Sequence, residues 1–516
     1  TLIRLPRPVL LAEGQPPKPP YVAVMGDGDF AVEDLCIQGV NAPILIAAPV
    51  VPAGSFDEAF VAAGSFGDRR CCNVAVRRCH LEQNPLWHVD RRSDKDHIRR
   101  MEEYGHARAK AGEQFSCLMI RGDNIDIEGN TVLGGGSALF VNRSSYVRVA
   151  NNTLSAGAAG LAIGYLSGLK WPADFPKGGG ARSRGNYCHN LLIEDNELTA
   201  RSDHARNLLS IMFGGERIHV ARNTIHRIAP NNDAESLLTH LWQARWPLAS
   251  IRRQDALTGE IHDPKGQVTH ECLDGAVIDV VDGHGVGQIR DIVSRQGTVF
   301  TIDRPWKSPP DTTSQVVFTA PPSCRIMTIV DNHVVSQAEN IIIWGTTHDT
   351  VIDGNYCADG RGISLWSIRL EAKQGVWGGA VFTQIINNVV DRGWLGPITR
   401  KNLLDAPTGI AFVGCRQATG CDLGYDCLGL IIRGNHATNN TGIGFKTTYE
   451  WGADWDGTLA PRKTWRIREA GIVIEHNLST DSALGVIVEK GAHAIVRTNR
   501  AHNVTYPLAR LAARAS

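Results

Sequence analysis

No stretch of this sequence stays apolar for the roughly 18 residues that a membrane-spanning helix needs. Net charge is missing too: 53 Lys plus Arg balance 53 Asp plus Glu in 516 residues. That balance offers nothing to nucleic acid or an anionic membrane, and it argues against a highly anionic polymer as substrate. No D-x-D-x-D-G series is present. A dedicated Ca²⁺ loop is therefore not expected, although a single Ca²⁺ held between turns would need none. No CxxC pair is followed by a second one, which removes the usual zinc site. No cofactor is expected.

What the chain does have is glycine, proline and cysteine. The 53 Gly and 24 Pro suit a turn-rich β protein, and 43% apolar residues supply a sizeable core. Length alone would suggest about three domains. Of the 12 Cys, Cys415, Cys421 and Cys427 cluster in "VGCRQATGCDLGYDC" and Cys71 adjoins Cys72. The cluster reads as disulfides of an oxidising compartment, against the plainer reading of Cys as a small buried hydrophobe. The first residue is Thr1, which implies an upstream piece; a secretory signal there would fit a secreted or periplasmic protein.

One phrase recurs along the chain: aliphatic, any residue, aliphatic, two residues, then Asn. It appears as "IDIEGNTV" (Asn130), "VRVANNTL" (Asn152), "LLIEDNEL" (Asn196), "IHVARNTI" (Asn223) and "MTIVDNHV" (Asn332). It continues as "TVIDGNYC" (Asn355), "TQIINNVV" (Asn388), "LIIRGNHA" (Asn435), "IVIEHNLS" (Asn477) and "AIVRTNRA" (Asn499). An earlier copy, "VAVRRCHL", has Cys79 in place of Asn. Intervals such as 152 − 130 = 22, 355 − 332 = 23 and 499 − 477 = 22 set the period. Period-2 strands at that repeat length describe a solenoid whose turns bury their inner faces only by stacking, at about 4.8 Å per turn. Asn at a common bend is expected to take left-handed geometry and to bond the Asn above and below. The segments between strands are Gly-rich and polar rather than helical, which favours an all-β, right-handed parallel β-helix over a leucine-rich repeat.

Longer intervals mark insertions, and long loops on a coil wall a groove. The charged stretch 86–115 is the best helix candidate. The largest gap, 332 − 223 = 109 residues, ends in "GAVIDVVDGHGVGQIRDIVSRQGTVFTIDRPWKSPPDTTSQVVF" (Gly275–Phe318). Alternating strands with Asp-Gly, Gln-Gly and Pro-Pro-Asp turns predict a small antiparallel barrel over about 268–320. The "GHGVGQ" glycines precede no helix and are not a nucleotide loop. The expected organisation is residues 1–229 as the first part of the helix, 230–322 as loop and barrel, and 323–516 as the second part.

The repeat phrase resembles the right-handed β-helix proteins that include pectate lyases, alginate lyases and several glycoside hydrolase families. The Gly275–Phe318 block resembles a small β module that interrupts bacterial β-helix proteins and phage tail proteins. The resemblance covers most of residues 70–505 and implies an architecture; the fold hosts lyases, hydrolases, epimerases and adhesive spikes.

Glycoside hydrolysis needs two carboxyl groups, and lyase chemistry needs a base plus a cation to neutralise a uronate. The densest candidate is "APNNDAESLLTHLWQARW", where Asp233 and Glu235 would share a strand face, followed by His240, Trp242 and Arg245. One coil earlier, "TARSDHARNLL" offers Asp203, His204 and Arg206, or simply a polar loop. Glu216 is read as structural. Trp344 and Trp366 are 366 − 344 = 22 residues apart, so they should stack on adjacent turns, with His348, Asp349, Arg369 and Glu371 close by. Tyr449, Trp451 and Trp455 form a further aromatic patch. Exposed aromatics are what sugar faces stack on, though core anchoring of loops uses them equally.

These readings favour an enzyme that cleaves glycosidic bonds in a groove along the helix, with Asp233 and Glu235 as the hydrolytic pair. A polysaccharide lyase using His204 or His240 as base and Arg206 as neutraliser is the near alternative. A non-catalytic glycan-binding spike is the third. The partner is a carbohydrate, and the assembly a monomer or a homotrimer.

Overall fold

In the computed structural model, residues 2–4, 23–25, 28–40, 44–48, 71–83, 116–120, 122–134, 137–142, 144–156, 159–164, 188–201, 207–212, 215–226, 235–241, 249–253, 255–262, 277–319, 324–337, 339–370, 376–393, 409–416, 427–439, 443–450, 469–482, 484–489 and 494–511 are described. Among them there is no helix, and none long and apolar enough to cross a membrane. The 86–115 helix candidate lies outside the described residues. The chain forms two compact units: residues 1–181, 185–212 and 219–237 make the first, and 182–184, 213–218 and 238–516 the second.

Each unit is a right-handed parallel β-helix of three parallel sheets. One coil shows the design. Gly122–Glu128 lies in sheet C, Thr131–Gly134 in sheet A and Ser137–Asn142 in sheet B; Ser145–Ala150 then returns to sheet C. Residues alternate in and out along each strand, and the inward ones align in files. Val76, Ile127, Val149 and Ile193 stack in the first unit, and Ile329, Ile352, Ile385, Ile432 and Ile474 in the second, all at most 1% exposed. Each such side chain contributes about 1.5–3 kcal/mol by leaving water. Outward residues of sheet C in the first unit alternate in charge. Arg148 pairs with Asp126, Glu128 and Glu194, and Arg222 with Glu194 and Asp195. The zero net charge is thus cancelled locally, in exposed pairs worth little individually.

The repeated Asn occupies the bend between sheets C and A. Asn130 donates its backbone N–H to Asn152 Oδ1 at 2.9 Å, and Asn152 does the same to Asn196 at 3.0 Å. Asn196 continues to Asn223, and in the second unit the file runs Asn332, Asn355, Asn388, Asn435, Asn477, Asn499. Each Nδ2 also bonds the next Oδ1 or a carbonyl of the preceding coil, as Asn355 does with Asn388 and Ile329. The expectation of left-handed geometry at Asn itself is corrected. Positive φ falls on the residue before it: Gly129 (64°), Asn151 (55°), Asp195 (55°), Arg222 (53°), Gly354 (66°) and His476 (56°). That residue makes the sharp bend, which leaves the Asn amide aimed inward. A second left-handed residue sits near the start of most sheet C strands: Asp29, Asn73, Asn124, Tyr146, Asn190, Arg217, Ile326, Asp349 and Phe382.

The barrel is closed and antiparallel. Its strand order is Ala249–Arg253, Thr258–His262, Val299–Ile302, Ile289–Gln296, Val277–Asp282 and Gln315–Thr319, which returns to the first. Its first hairpin therefore lies ahead of the expected start at about 268. "SIRRQDALTGEIH" hides it, because Asp255 closes a polar turn by accepting the N–H groups of Leu257 and Thr258. Ile278, Val280, Phe300 and Val316 fill the centre. The "DGHGVGQ" segment is a hairpin loop with Gly283, Gly285 and Gly287 at φ of 75°, 80° and 87°. Gln288 holds it by accepting the N–H of Lys307 at 2.8 Å.

The disulfide expectation for the 415–427 cluster is corrected at Cys427, which is buried and in no disulfide. Nine described cysteines form no disulfide. Cys324 and Cys427 stand in register with Thr347 and Ala380 at the corner that opens sheet C, four small side chains on successive strands. The plainer reading of cysteine as a small hydrophobe holds there.

Two outcomes follow. Asn355→Leu takes away the acceptor of both the Asn332 N–H and the Asn332 side-chain amide in a dry interior. It should lower unfolding free energy by roughly 3 kcal/mol or more in urea titration; an unchanged midpoint would remove the ladder's role. Burial pushes the Cys117 and Cys324 thiols up to about 12, so they stay protonated at pH 8. Iodoacetamide at pH 8 should label exposed Cys72 in the folded protein and reach Cys117 and Cys324 only after unfolding, as read by peptide mass mapping.

Candidate functional site

Sheet B of the second unit carries the aromatic pair. Glu339–Gly345 and Ile363–Leu370 are neighbouring strands, with Trp344 opposite Trp366. Ile341, Ile343 and Leu365 point into the core at 0–1% exposure, so alternation turns both indoles outward. Their rings stack with centroids 5.1 Å apart and planes 28° apart. Both are half-buried. Trp366 Nε1 is buried and finds no hydrogen-bond partner among the described residues. An indole N–H in that state invites an acceptor, such as a ligand hydroxyl.

At the other end of the same two strands sits Glu339, 9% exposed. Arg361 donates to its Oε1 at 3.1 Å and Ser364 to its Oε2 at 3.2 Å. The corner beneath is fixed by Asn340, which accepts the N–H of Gly362 at 2.8 Å and donates to the carbonyl of Ala358 at 3.1 Å. Sequence reasoning missed Glu339. The signal was present: 361 − 339 = 22, the interval that aligned the tryptophans.

Several expected residues are placed. Glu235 is partly buried and begins the strand Glu235–Leu241, which also contains His240. Arg369 lies opposite Trp377 and Arg416, and Tyr449 opposite Gly414. Asp233, Asp203, His204, Arg206, Trp242, Arg245, Glu371, Trp451 and Trp455 fall outside the described residues.

His348 and Asp349 are not part of the tryptophan face. They follow Trp344 across a corner and lie in sheet C. His348 is 3% exposed, with Nε2 at 3.2 Å from Asp279 Oδ2 of the barrel. Beside it, Arg325 donates to Glu216 Oε2 at 3.0 and 2.6 Å and to Asp291 Oδ1 of the barrel at 2.9 Å. Glu216 is therefore structural, as expected. Val381 and Leu428 complete the contact with barrel residues Val281 and Val317. Arg325, His348, Val381 and Leu428 share one register position on four successive strands, so the barrel is held along a single file.

Comparison with known proteins adds likeness of fold and no family. No family model matches, and no curated protein sequence matches. Among solved structures the chain is similar to a double mutant of the periplasmic alginate epimerase AlgG, at 8% identity and TM-score 0.27, over 95% of this chain and 71% of that one. It is similar to the Dettilon tailspike protein at 10% identity and TM-score 0.26, over 84% of this chain and 61% of that one. It is also similar to endo-xylogalacturonan hydrolase from Aspergillus tubingensis, at 12% identity and TM-score 0.26, over 85% and 96% of the two chains. At these scores the architecture rests on the strands and ladders described above.

Arg325→Met would strip the Glu216 carboxylate, 3% exposed, of its buried partner and leave it only the half-exposed Arg217. Loss of about 3–5 kcal/mol is expected in urea unfolding, partly recovered by adding Glu216→Gln; equal stability of parent and single variant would show the clamp to be inert.

Proposed function

We propose that the chain acts on a glycan, which it binds on the outer face of sheet B in the second unit. The observation that carries this is the outward Trp344–Trp366 stack with its unsatisfied indole N–H. Two coplanar-leaning rings one coil apart present a hydrophobic floor long enough for successive sugar units. Glu339 and Arg361, bonded to each other on the same strands, offer an acceptor and a donor for ring hydroxyls. Cleavage of glycosidic bonds is the reaction proposed, by hydrolysis, with Asp233 and Glu235 as the carboxyl pair. Secretion or periplasmic residence belongs to the same reading.

A panel of polysaccharides assayed for new reducing ends and for ultraviolet absorbance tests it. Hydrolysis gives the first signal without the second. Absorbance would instead select elimination, with His204 or His240 as base and Arg206 as neutraliser. Trp344→Ala should weaken binding about 10- to 100-fold while circular dichroism stays unchanged. Asp233→Asn and Glu235→Gln should abolish turnover and spare binding. Undiminished products from both would remove the assignment, and binding without turnover in the parent would make the chain a glycan-binding spike.

A further inference from the structure

A second surface stands out on sheet C of the first unit. The left-handed position near the start of its strands holds Asp29 (57°), Asn73 (55°), Asn124 (59°), Tyr146 (54°) and Asn190 (55°) on successive coils. Asp and Asn tolerate that conformation because their short polar side chains bond locally; an aromatic residue gains nothing of the kind. Here the polar members do bond one another: Asn73 donates to Asp29 at 2.7 Å, and Asn124 donates to Asn73 at 2.7 Å. Tyr146 interrupts this outer file. Its ring does not repay the interruption by packing, since the residue is 63% exposed, the most exposed large hydrophobic described. Its ring contact is edge-on to His189, with centroids 5.9 Å apart at 77°.

The surroundings suit a sugar. Tyr146 lies between Asn124 and Asn190 in register, with one coil on either side. The Asn124 amide spends its nitrogen on Asn73, and the Asn190 nitrogen meets His189 Nδ1 at 2.8 Å, which leaves both amide carbonyls to accept hydroxyls. In the adjoining file, Asp123 accepts from Ser145. A carboxylate there disfavours a uronate and favours a neutral ring. A strained, solvent-facing aromatic flanked by open acceptors is a stacking platform with hydrogen-bonding rims.

We propose that Tyr146 is the floor of a second carbohydrate site, which binds one neutral sugar unit of a glycan on the outer face of sheet C. It stands apart from the Trp344–Trp366 face and shares with that reading only the choice of probes. Affinity electrophoresis of the full chain in gels containing laminarin, xylan or dextran, with polygalacturonate as the charged control, tests it. The parent, Trp344→Ala, Tyr146→Asn, Tyr146→Phe and the Trp344→Ala/Tyr146→Asn double variant are compared.

Trp344→Ala should keep residual retention by a neutral polymer. Tyr146→Asn in that background should reduce it at least tenfold, and Tyr146→Phe should leave it intact. Tyr146→Asn should melt at the parent temperature or above it, because Asn restores the outer file. Four results with a retained parent overturn the proposal: complete loss of retention in Trp344→Ala alone, which leaves the first face standing; retention indifferent to Tyr146→Asn; loss with Tyr146→Phe; or a lower melting temperature in Tyr146→Asn, which makes the tyrosine a packing residue. Retention unaffected by Trp344→Ala but abolished by Tyr146→Asn would support this site and remove the first. A parent that no gel retains removes both.

Discussion

A buried amide at a tight bend is the constraint on which the rest of the fold depends. Each coil must turn from sheet C to sheet A within two residues, and that leaves backbone N–H groups pointing into a dry interior. Asn answers the need because one side chain both accepts and donates. Asn355 accepts from Asn332 and passes its own hydrogens to Asn388 and to a carbonyl of the preceding coil. No aliphatic side chain can do this, and Asp would lack the donors. The bend residue just ahead varies among Gly, Asn, Asp, Arg, His and Thr, whereas ten successive copies of the phrase keep the amide and only the earlier Cys79 copy lacks it.

With the bends fixed, outer faces become available for other work. In the second unit, sheet C is occupied by the barrel through Arg325, His348, Val381 and Leu428, while sheet B presents tryptophans. The barrel contact is half polar, with Arg325 on Asp291 and His348 on Asp279 beside an apolar patch. An insertion held this way behaves as part of the wall and not as a tethered domain.

Much of this was legible in the sequence because the repeat is written in side chains that the physics requires. The files of Ile and Val, the Asn positions and the Trp344–Trp366 register all follow from counting by 22 or so. Glu339 and Arg361 obey the same count and escaped notice because they sit at a strand start, where polar residues look like turn. The first barrel hairpin was missed because its strands carry Arg252, Arg253 and Glu260, and its turn carries no glycine pair. His348 lies off the Trp344 face although only three residues separate them: a β-helix corner turns neighbours in sequence onto different faces. The thiol at Cys427 misled for the opposite reason, since clustering in sequence says nothing about the corner that Cys427 fills.

The clamp has a consequence for the order in which the chain is made. Glu216 and Arg325 are 109 residues apart. At roughly 5–20 residues per second, the glutamate waits about 5–20 s on the ribosome for its partner. The closing strand of the barrel, Gln315–Thr319, is made six residues before Arg325, which gives the barrel roughly 0.3–1 s to close first, long against the about 1–10 μs of hairpin formation. The second half of the helix then grows against a finished template that already displays Asp279 and Asp291, and the register of its first coil is set by where those two carboxylates find Arg325 and His348.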